Sequence, residues 1–280
     1  MYPVRILCHT MGVDPSGYYA WRKEPLSKRD PLDKRLTVQI KQCWLESGGH
    51  SGYRNIYQDL VEAKMACGRD RVLRLMQAAG IRAQRGYKAP KGYCSGKPHP
   101  VAPNLLDRQF DVSAPNRWWV SDITCIHTHE GFLFLAVVMD LFARNIVGWS
   151  MASRITDDLV LDALTMAYWR RKPDLKVMLH SDQGSQYTSS RCKRLLNALN
   201  IEPSMSRRGN CHDNAVAESF FANLKKEKIR KKMFRTRADA RHAIFNYIEL
   251  FYNPTRRHTH NDRIAPTVYE QNYFEKLESV

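Results

Sequence analysis

The chain has 280 residues, 43% of them hydrophobic, enough to bury at least one full core in one large domain or two smaller ones. Its 44 Lys and Arg against 28 Asp and Glu give a formal charge of +16, which favours a polyanionic partner, with nucleic acid ahead of a membrane surface. The absence of a run of 18 apolar residues and of a secretory signal pattern in MYPVRILCHT, with seven scattered cysteines and no CxxC pair, argues against membrane-spanning, secreted disulfide-framework and compact zinc-finger classes and for a soluble intracellular protein.

Residues 1–30 form an N-terminal arm in which VDPSGYYAWR predicts a turn and a short helix. Residues 31–84 predict three helices. Leu36, Ile40 and Trp44 make one stripe, Ile56, Leu60 and Val61 a second, and Val72, Leu73, Leu75 and Met76 a third that stops at Gly80. Short helices separated by GGHSG and ACG fit a helix-turn-helix-like domain whose last helix presents Arg69, Arg71 and Arg74 to DNA; a small bundle with a solvated basic face fits the same residues. Residues 85–113, including RGYKAPKGYCSGKPHPVAPN, read as a basic Pro/Gly linker.

From residue 114 to 275 the pattern changes. RWWVSDITCIHT, GFLFLAVVMDLFA and NIVGWSMAS are rich in β-branched and aromatic residues and joined by brief turns, which predicts an antiparallel three-strand meander. A helix at TDDLVLDALTMAYWRR, a strand at KVMLHSD, a helix around SSRCKRLLNALN and a strand at IEPSMS follow, and then a helix in NCHDNAVAESFFANLKKEKI. The fold class is α/β: a mixed sheet of three antiparallel strands plus two parallel ones, with helices packed on it.

Three acids stand out. Asp122 interrupts a strand that is apolar on both faces, with Trp119, Ile123 and Cys125 on one and Trp118, Val120 and Ile126 on the other. An ionised carboxylate there costs several kcal/mol unless it is paired or binds metal; a hydrogen-bonded Asp holding a bulge is the alternative. Asp182 ends a strand and runs into a Gly-containing turn, where α/β folds place ligands. Glu218 misses the capping-box register from Asn214 and from Asp213, and at about 100° per residue it lies about 20° from Lys225 on the border of the apolar stripe. Taken alone, that helix is equally a surface Glu beside a Lys.

Other acids have local explanations. Asp140 pairs with Arg144 across a hairpin turn, and Asp157 and Asp158 stand where a helix N-terminus attracts acids. His180 and Gln183 flank Asp182 and are either site residues or turn residues. From Arg207 to Arg241 eleven basic residues face four acids, a patch that would neutralise phosphates or form a solvated face.

WWVSDIT, HSDQGSQYTS and NCHDNAVAESFFANLKKE, with thirty-five residues between Asp182 and Glu218 and Lys225 seven after Glu218, resemble the Asp-Asp-Glu core of retroviral integrases. More closely, the chain resembles bacterial insertion-sequence transposases of the OrfB type, translated from the second reading frame of their element. GYYAWR, HSGYRNIYQDL and FYNPTRRHTHNDRIAP are similar to that family's flanking signatures.

The resemblance implies a ribonuclease-H-like catalytic domain in which Asp122, Asp182 and Glu218 are catalytic and hold Mg²⁺, or Mn²⁺ in its place, as two ions. It implies cleavage at mobile-element ends and transfer of the 3′-hydroxyl to DNA. Lys225, Lys226, Arg207 and Arg208 then grip DNA. A purely hydrolytic nuclease of the same fold and a non-catalytic DNA-binding regulator are the rival readings. The expected partners are double-stranded DNA, further copies of the chain on that DNA and the product of an upstream reading frame, which family members commonly carry as a fusion. The expected location is cytoplasmic, with the nucleoid.

Overall fold

The computed structural model describes residues 3–23, 30–83, 102–207, 214–229 and 233–279, which fall into two compact units, residues 1–84 and 85–280. The first unit opens with α1 (Val4–Thr10), a helix that the sequence left within the arm, and α2 (Pro15–Lys23). The three expected helices follow as α3 (Asp30–Glu46), α4 (Tyr53–Glu62) and α5 (Arg69–Ala78). Leu36 and Ile40, Ile56 and Leu60, and Val72, Leu75 and Met76 bury together, because three- and four-residue spacing puts each set on one helix face. Val61 does not join them: one residue on from Leu60, it is turned about 100° away and is exposed. Gly80 ends α5 with φ +66°, which lets its own amide reach Gln77 and the Ile81 amide reach the Met76 carbonyl.

The second unit is built on β1 (Trp118–Thr128), β2 (Gly131–Asp140), β3 (Asn145–Ala152), β4 (Val177–Ser181) and β5 (Ile201–Met205) in the order β3-β2-β1-β4-β5. The first three are antiparallel, and β4 and β5 run parallel to β1, as expected. Between them lie α6 (Asp157–Arg171), the single turn α7 (Ser185–Thr188) and α8 (Ser190–Ala198). After β5 come α9 (Ala215–Leu224), a π-helical turn at Lys225–Ile229, α10 (Arg237–Phe245), a second π-helical stretch at Asn246–Tyr252 and α11 (Pro266–Glu278).

Strand alternation divides the core in two. Val120, Ile126, Leu133 and Leu135 meet Phe220, Leu224, Ile244 and Tyr252 on one face of the sheet. Trp119, Ala136, Val138 and Leu179 meet Leu159, Ala163 and Leu196 on the other. Gly148 permits the close approach of α6: a Cβ there would stand 2.2 Å from the Ala163 carbonyl.

Two sequence expectations are corrected here. The last part of the linker, residues 102–113, is packed on this unit: Leu106 is buried, Ser204 Oγ accepts from the Leu105 amide, and the Met205 amide donates to Pro103. Asp140 does not pair with Arg144; its carboxylate accepts the Asn116 and Phe142 amides at 2.7 and 2.9 Å, while Arg144 donates to the Phe110 carbonyl. The β2–β3 turn points the two side chains to different backbone partners.

The C-terminal segment closes the sheet's β3 edge. Asn253 accepts from the Ile146 amide and donates to its carbonyl, both at 3.0 Å, so a side-chain amide stands in for a neighbouring strand. Glu270 binds Arg171 and Asn145.

Candidate active site

The β1–β4 ladder pairs Trp118 with Met178, Trp119 with Leu179 and Val120 with His180, and then ends. Asp122 and Asp182 each follow the last pair by two residues. Alternation therefore puts both acids on the face of Val120 and His180, which is the face packed by α9 with Glu218 in its first turn. The β1–β2 register runs unbroken from Trp119 to Thr128, so Asp122 does not hold a bulge.

The strands part just where the acids stand. Past the ladder, the Ile123 amide donates to Asp122 Oδ1 at 2.7 Å. Burial raises the Asp122 carboxyl to about 7, Asp182 and Glu218 add to the shift, and the Ile123 amide and Lys225 oppose it. Asp182 keeps solvent access, yet the protein packed around its carboxyl still raises its pKa, against a Gly184 amide that donates at 3.0 Å. Gly184 is required for that contact, since a Cβ there would lie 2.9 Å from Asp182 Oδ1.

Glu218 is exposed and acts on Asp122 less strongly than Asp182 does. Among the described residues, no three His, Cys, Asp or Glu side chains close on one point as a bound ion requires. Lys225 acts on both Asp122 and the Cys125 thiol, which places its charge at the same cleft.

Several supports were not visible in the sequence. The Tyr187 and Ser121 hydroxyls share a 2.8 Å hydrogen bond beneath the acids, and Ser121 donates to the Val137 carbonyl. Burial and the charge of Asp122 push the Tyr187 phenol up, so it stays neutral. In the π-helical turn that continues α9, Glu227 is buried. Its carboxylate accepts from Arg256 Nε and Nη2 and from the Tyr247 hydroxyl at 2.7–3.1 Å, anchoring the helix.

The remaining candidates divide. His180 is buried with Nδ1 2.9 Å from Ser204 Oγ, and Gln183 donates to the Ser206 carbonyl, so both tie β4 to β5 and its exit. Arg71 and Arg74 both bind the Asp33 carboxylate, at 2.6 and 2.8 Å, and only Arg69 of that trio lacks such a contact to Asp33. Arg207 pairs with Asp107 at 2.9 Å where both are exposed. Lys226 is half-buried in the π-helical turn, and Arg208 lies outside the described residues.

Residues 112–211 and 199–266 each match the family described as Integrase core domain, and residues 31–89 match the HTH-like domain. The chain is 36% identical over 274 residues to Transposase InsF for insertion sequence IS3A of Escherichia coli (strain K12), covering 96% of this chain and 94% of that one. It is 40% identical over 245 residues to the Transposase for insertion sequence element IS904 of Lactococcus lactis subsp. lactis (strain IL1403), covering 88% and 97%. The chain belongs to the insertion-sequence transposases.

Asp122 and Asp182 of the transposase fall in the first integrase-core match and Glu218 in the second. Its mixed five-stranded sheet is the ribonuclease-H-like core that the sequence led us to expect. Among solved structures it is similar to the HTLV-2 integrase catalytic core domain in complex with magnesium (trimeric form), at 16% identity and a TM-score of 0.44 over 56% of this chain and 97% of that one. No helix among the described residues is long and apolar enough to cross a membrane.

Proposed function

We propose that this transposase cuts DNA at the ends of its element and joins the resulting 3′-hydroxyl to a new phosphodiester, with Asp122, Asp182 and Glu218 as the catalytic carboxylates. The observation that carries this reading is the equivalent placement of Asp122 and Asp182 past the last β1–β4 pair, on the face that α9 covers with Glu218.

The donor set fits a hard divalent cation, Mg²⁺ first and Mn²⁺ in its place. Asp122 and Asp182 line one cleft, the charges of Asp182 and Glu218 add to burial in raising the Asp122 pKa, and the nearby imidazole of His180 is hydrogen-bonded to Ser204. Asp122, whose carboxyl feels the charges of both Asp182 and Glu218, would hold the ions together with those two acids. When bound, such ions activate the attacking oxygen and stabilise the leaving one.

The protein does the rest by placement. Gly184 and the Ile123 amide fix the two Asp carboxylates, and Glu227 with Arg256 sets the helix that carries Glu218. Lys225 holds the scissile phosphate. Water breaks the first phosphodiester and leaves a 3′-hydroxyl; that oxygen then forms one P–O bond as another breaks, so no covalent protein intermediate is needed.

The partners on this reading are double-stranded DNA, further copies of the chain, and the upstream reading-frame product, acting in the cytoplasm. A Mg²⁺-dependent joining assay with pre-cut candidate element-end DNA, run with and without that product, tests it. Joined product is expected; hydrolysis without joining would make the protein a nuclease.

A further inference from the structure

An aromatic row leads away from the paired acids. In the β1–β2 register His127 lies opposite Phe132, and Cys125 lies opposite Phe134. The His127 and Phe132 rings meet edge-on at 4.3 Å, and the Phe132 and Phe134 centroids are 6.0 Å apart. These positions continue the sheet face that α6 and α8 bury elsewhere, but here Phe132 is 46% exposed and Ile155, just past β3, is 45% exposed.

At its inner end the row enters a cleft of about 240 Å³, where Ile123, Phe134, Ile155 and Gln186 line the same space as Asp122 and Asp182. Apolar surface left open beside a reaction site asks for a cover. What adjoins it narrows the occupant. The acids lie where our reading places a scissile phosphate, and Lys225 adds positive charge that reaches Cys125 and Asp122. A strand whose phosphate sits there carries its next base within one nucleotide step of the cleft. A base has apolar faces and a hydrogen-bonding edge, which matches aromatic and aliphatic walls with one side-chain amide.

We propose that this cleft is a nucleobase subsite: Phe134 stacks on one unpaired base beside the scissile phosphate, Gln186 reads its edge, and Phe132 offers a second stacking surface further along the strand. The inference rests on the reading of Asp122 and Asp182 as the cutting site.

The test uses the full chain and a single-stranded oligothymidylate that carries one 2-aminopurine. Binding is expected to quench the 2-aminopurine fluorescence. Phe134→Ala is expected to lose most of the quenching and to bind about 5- to 150-fold more weakly, the range seen for removal of one base–aromatic stack. Phe134→Tyr keeps both properties. Phe132→Ala, at an exposed ring, weakens binding and decides the matter if Phe134→Ala does not fold. Wild-type quenching and affinity in both alanine variants would overturn the proposal, as would a change confined to self-association in light scattering, which would make the face a contact between copies. Asp122→Asn is expected to keep the quenching and lose joining. In the wild type, joining without quenching overturns the subsite alone, and quenching without joining overturns the proposed function alone.

Discussion

Asp122 and Asp182 occupy equivalent positions on neighbouring parallel strands, each two residues past the last ladder pair, Val120 and His180. Sixty residues apart in sequence, they become neighbours through register alone. Where the ladder stops, the Ile123 amide turns to a carboxylate, and the gap between the strands becomes the cleft that both acids line.

The turn after β4 gives the first prediction. Gly184→Ala places a methyl carbon 2.9 Å from Asp182 Oδ1 and 3.3 Å from Gln186 Oε1, so the carboxylate must shift. With φ at −59° the backbone itself tolerates alanine, and the fold should survive. Misplacement of this order in a catalytic group costs roughly 100-fold. Joining by Gly184→Ala should fall by about that factor with an unchanged far-UV circular dichroism spectrum; unchanged joining would contradict the role given to this glycine.

Glu227 and Arg256 supply a stability prediction. Glu227→Gln leaves a mostly buried guanidinium without its charge partner, which costs about 3 to 5 kcal/mol. Calorimetry should show a Tm lower by roughly 6 to 20 °C. The double variant Glu227→Met with Arg256→Met should recover part of that loss, because no charge is then left buried. Equal Tm values for the single variant and wild type would remove this ion pair from the account.

The acids of the candidate site were legible because each stands out locally: Asp122 inside an apolar strand, Asp182 at a strand end before a Gly-containing turn, Glu218 off the capping register. Glu227 was not, since it sits in a lysine-rich run and its partner Arg256 is 29 residues away, beyond any helical or strand period. The same holds for Asp33, which binds Arg71 and Arg74 from 38 and 41 residues upstream and could not be separated from an ordinary first-turn acid. The antiparallel meander and the mixed sheet followed from strand composition and from the brief turns between the first three strands. The docking of residues 102–113 did not, because Leu106 is one apolar residue in a Pro-rich stretch whose anchor, Ser204, is 99 residues from Leu105.

Those Asp33 contacts divide the basic residues of α5. Arg69→Ala should weaken binding to duplex DNA across sequences and reduce the slope of log K against log salt by about 1. Arg71→Ala should mainly lower the Tm of the first unit, as its guanidinium serves Asp33. Fluorescence anisotropy over a salt series distinguishes them, and an unaltered slope for Arg69→Ala would remove that residue from the DNA contact.

The pH response of His258 follows from its surroundings. Burial first, then Arg256 and Arg144, push its pKa down to about 4, whereas an unfolded histidine titrates near 6.5. Its contribution to stability is complete above about pH 6.5 and is lost as pH falls toward 4, on the order of 3 kcal/mol. Asp140, raised to about 6 chiefly by burial, acts oppositely between about pH 4 and 6, because its folded form holds the proton more tightly. The two effects overlap in the wild type. The Tm difference between wild type and His258→Gln should therefore shrink from pH 7 to pH 4.5, and a difference independent of pH would contradict the assignment.

The most direct measurement is Mg²⁺-dependent joining of labelled, pre-cut element-end DNA by wild type, Asp122→Asn and Asp182→Asn, with DNA binding followed in parallel. Loss of an outer-shell partner of a metal ligand already costs 10- to 100-fold, so loss of a ligand should cost more than about 100-fold. The account predicts that loss in each variant with DNA affinity retained. Joining at the wild-type rate by either variant would contradict it.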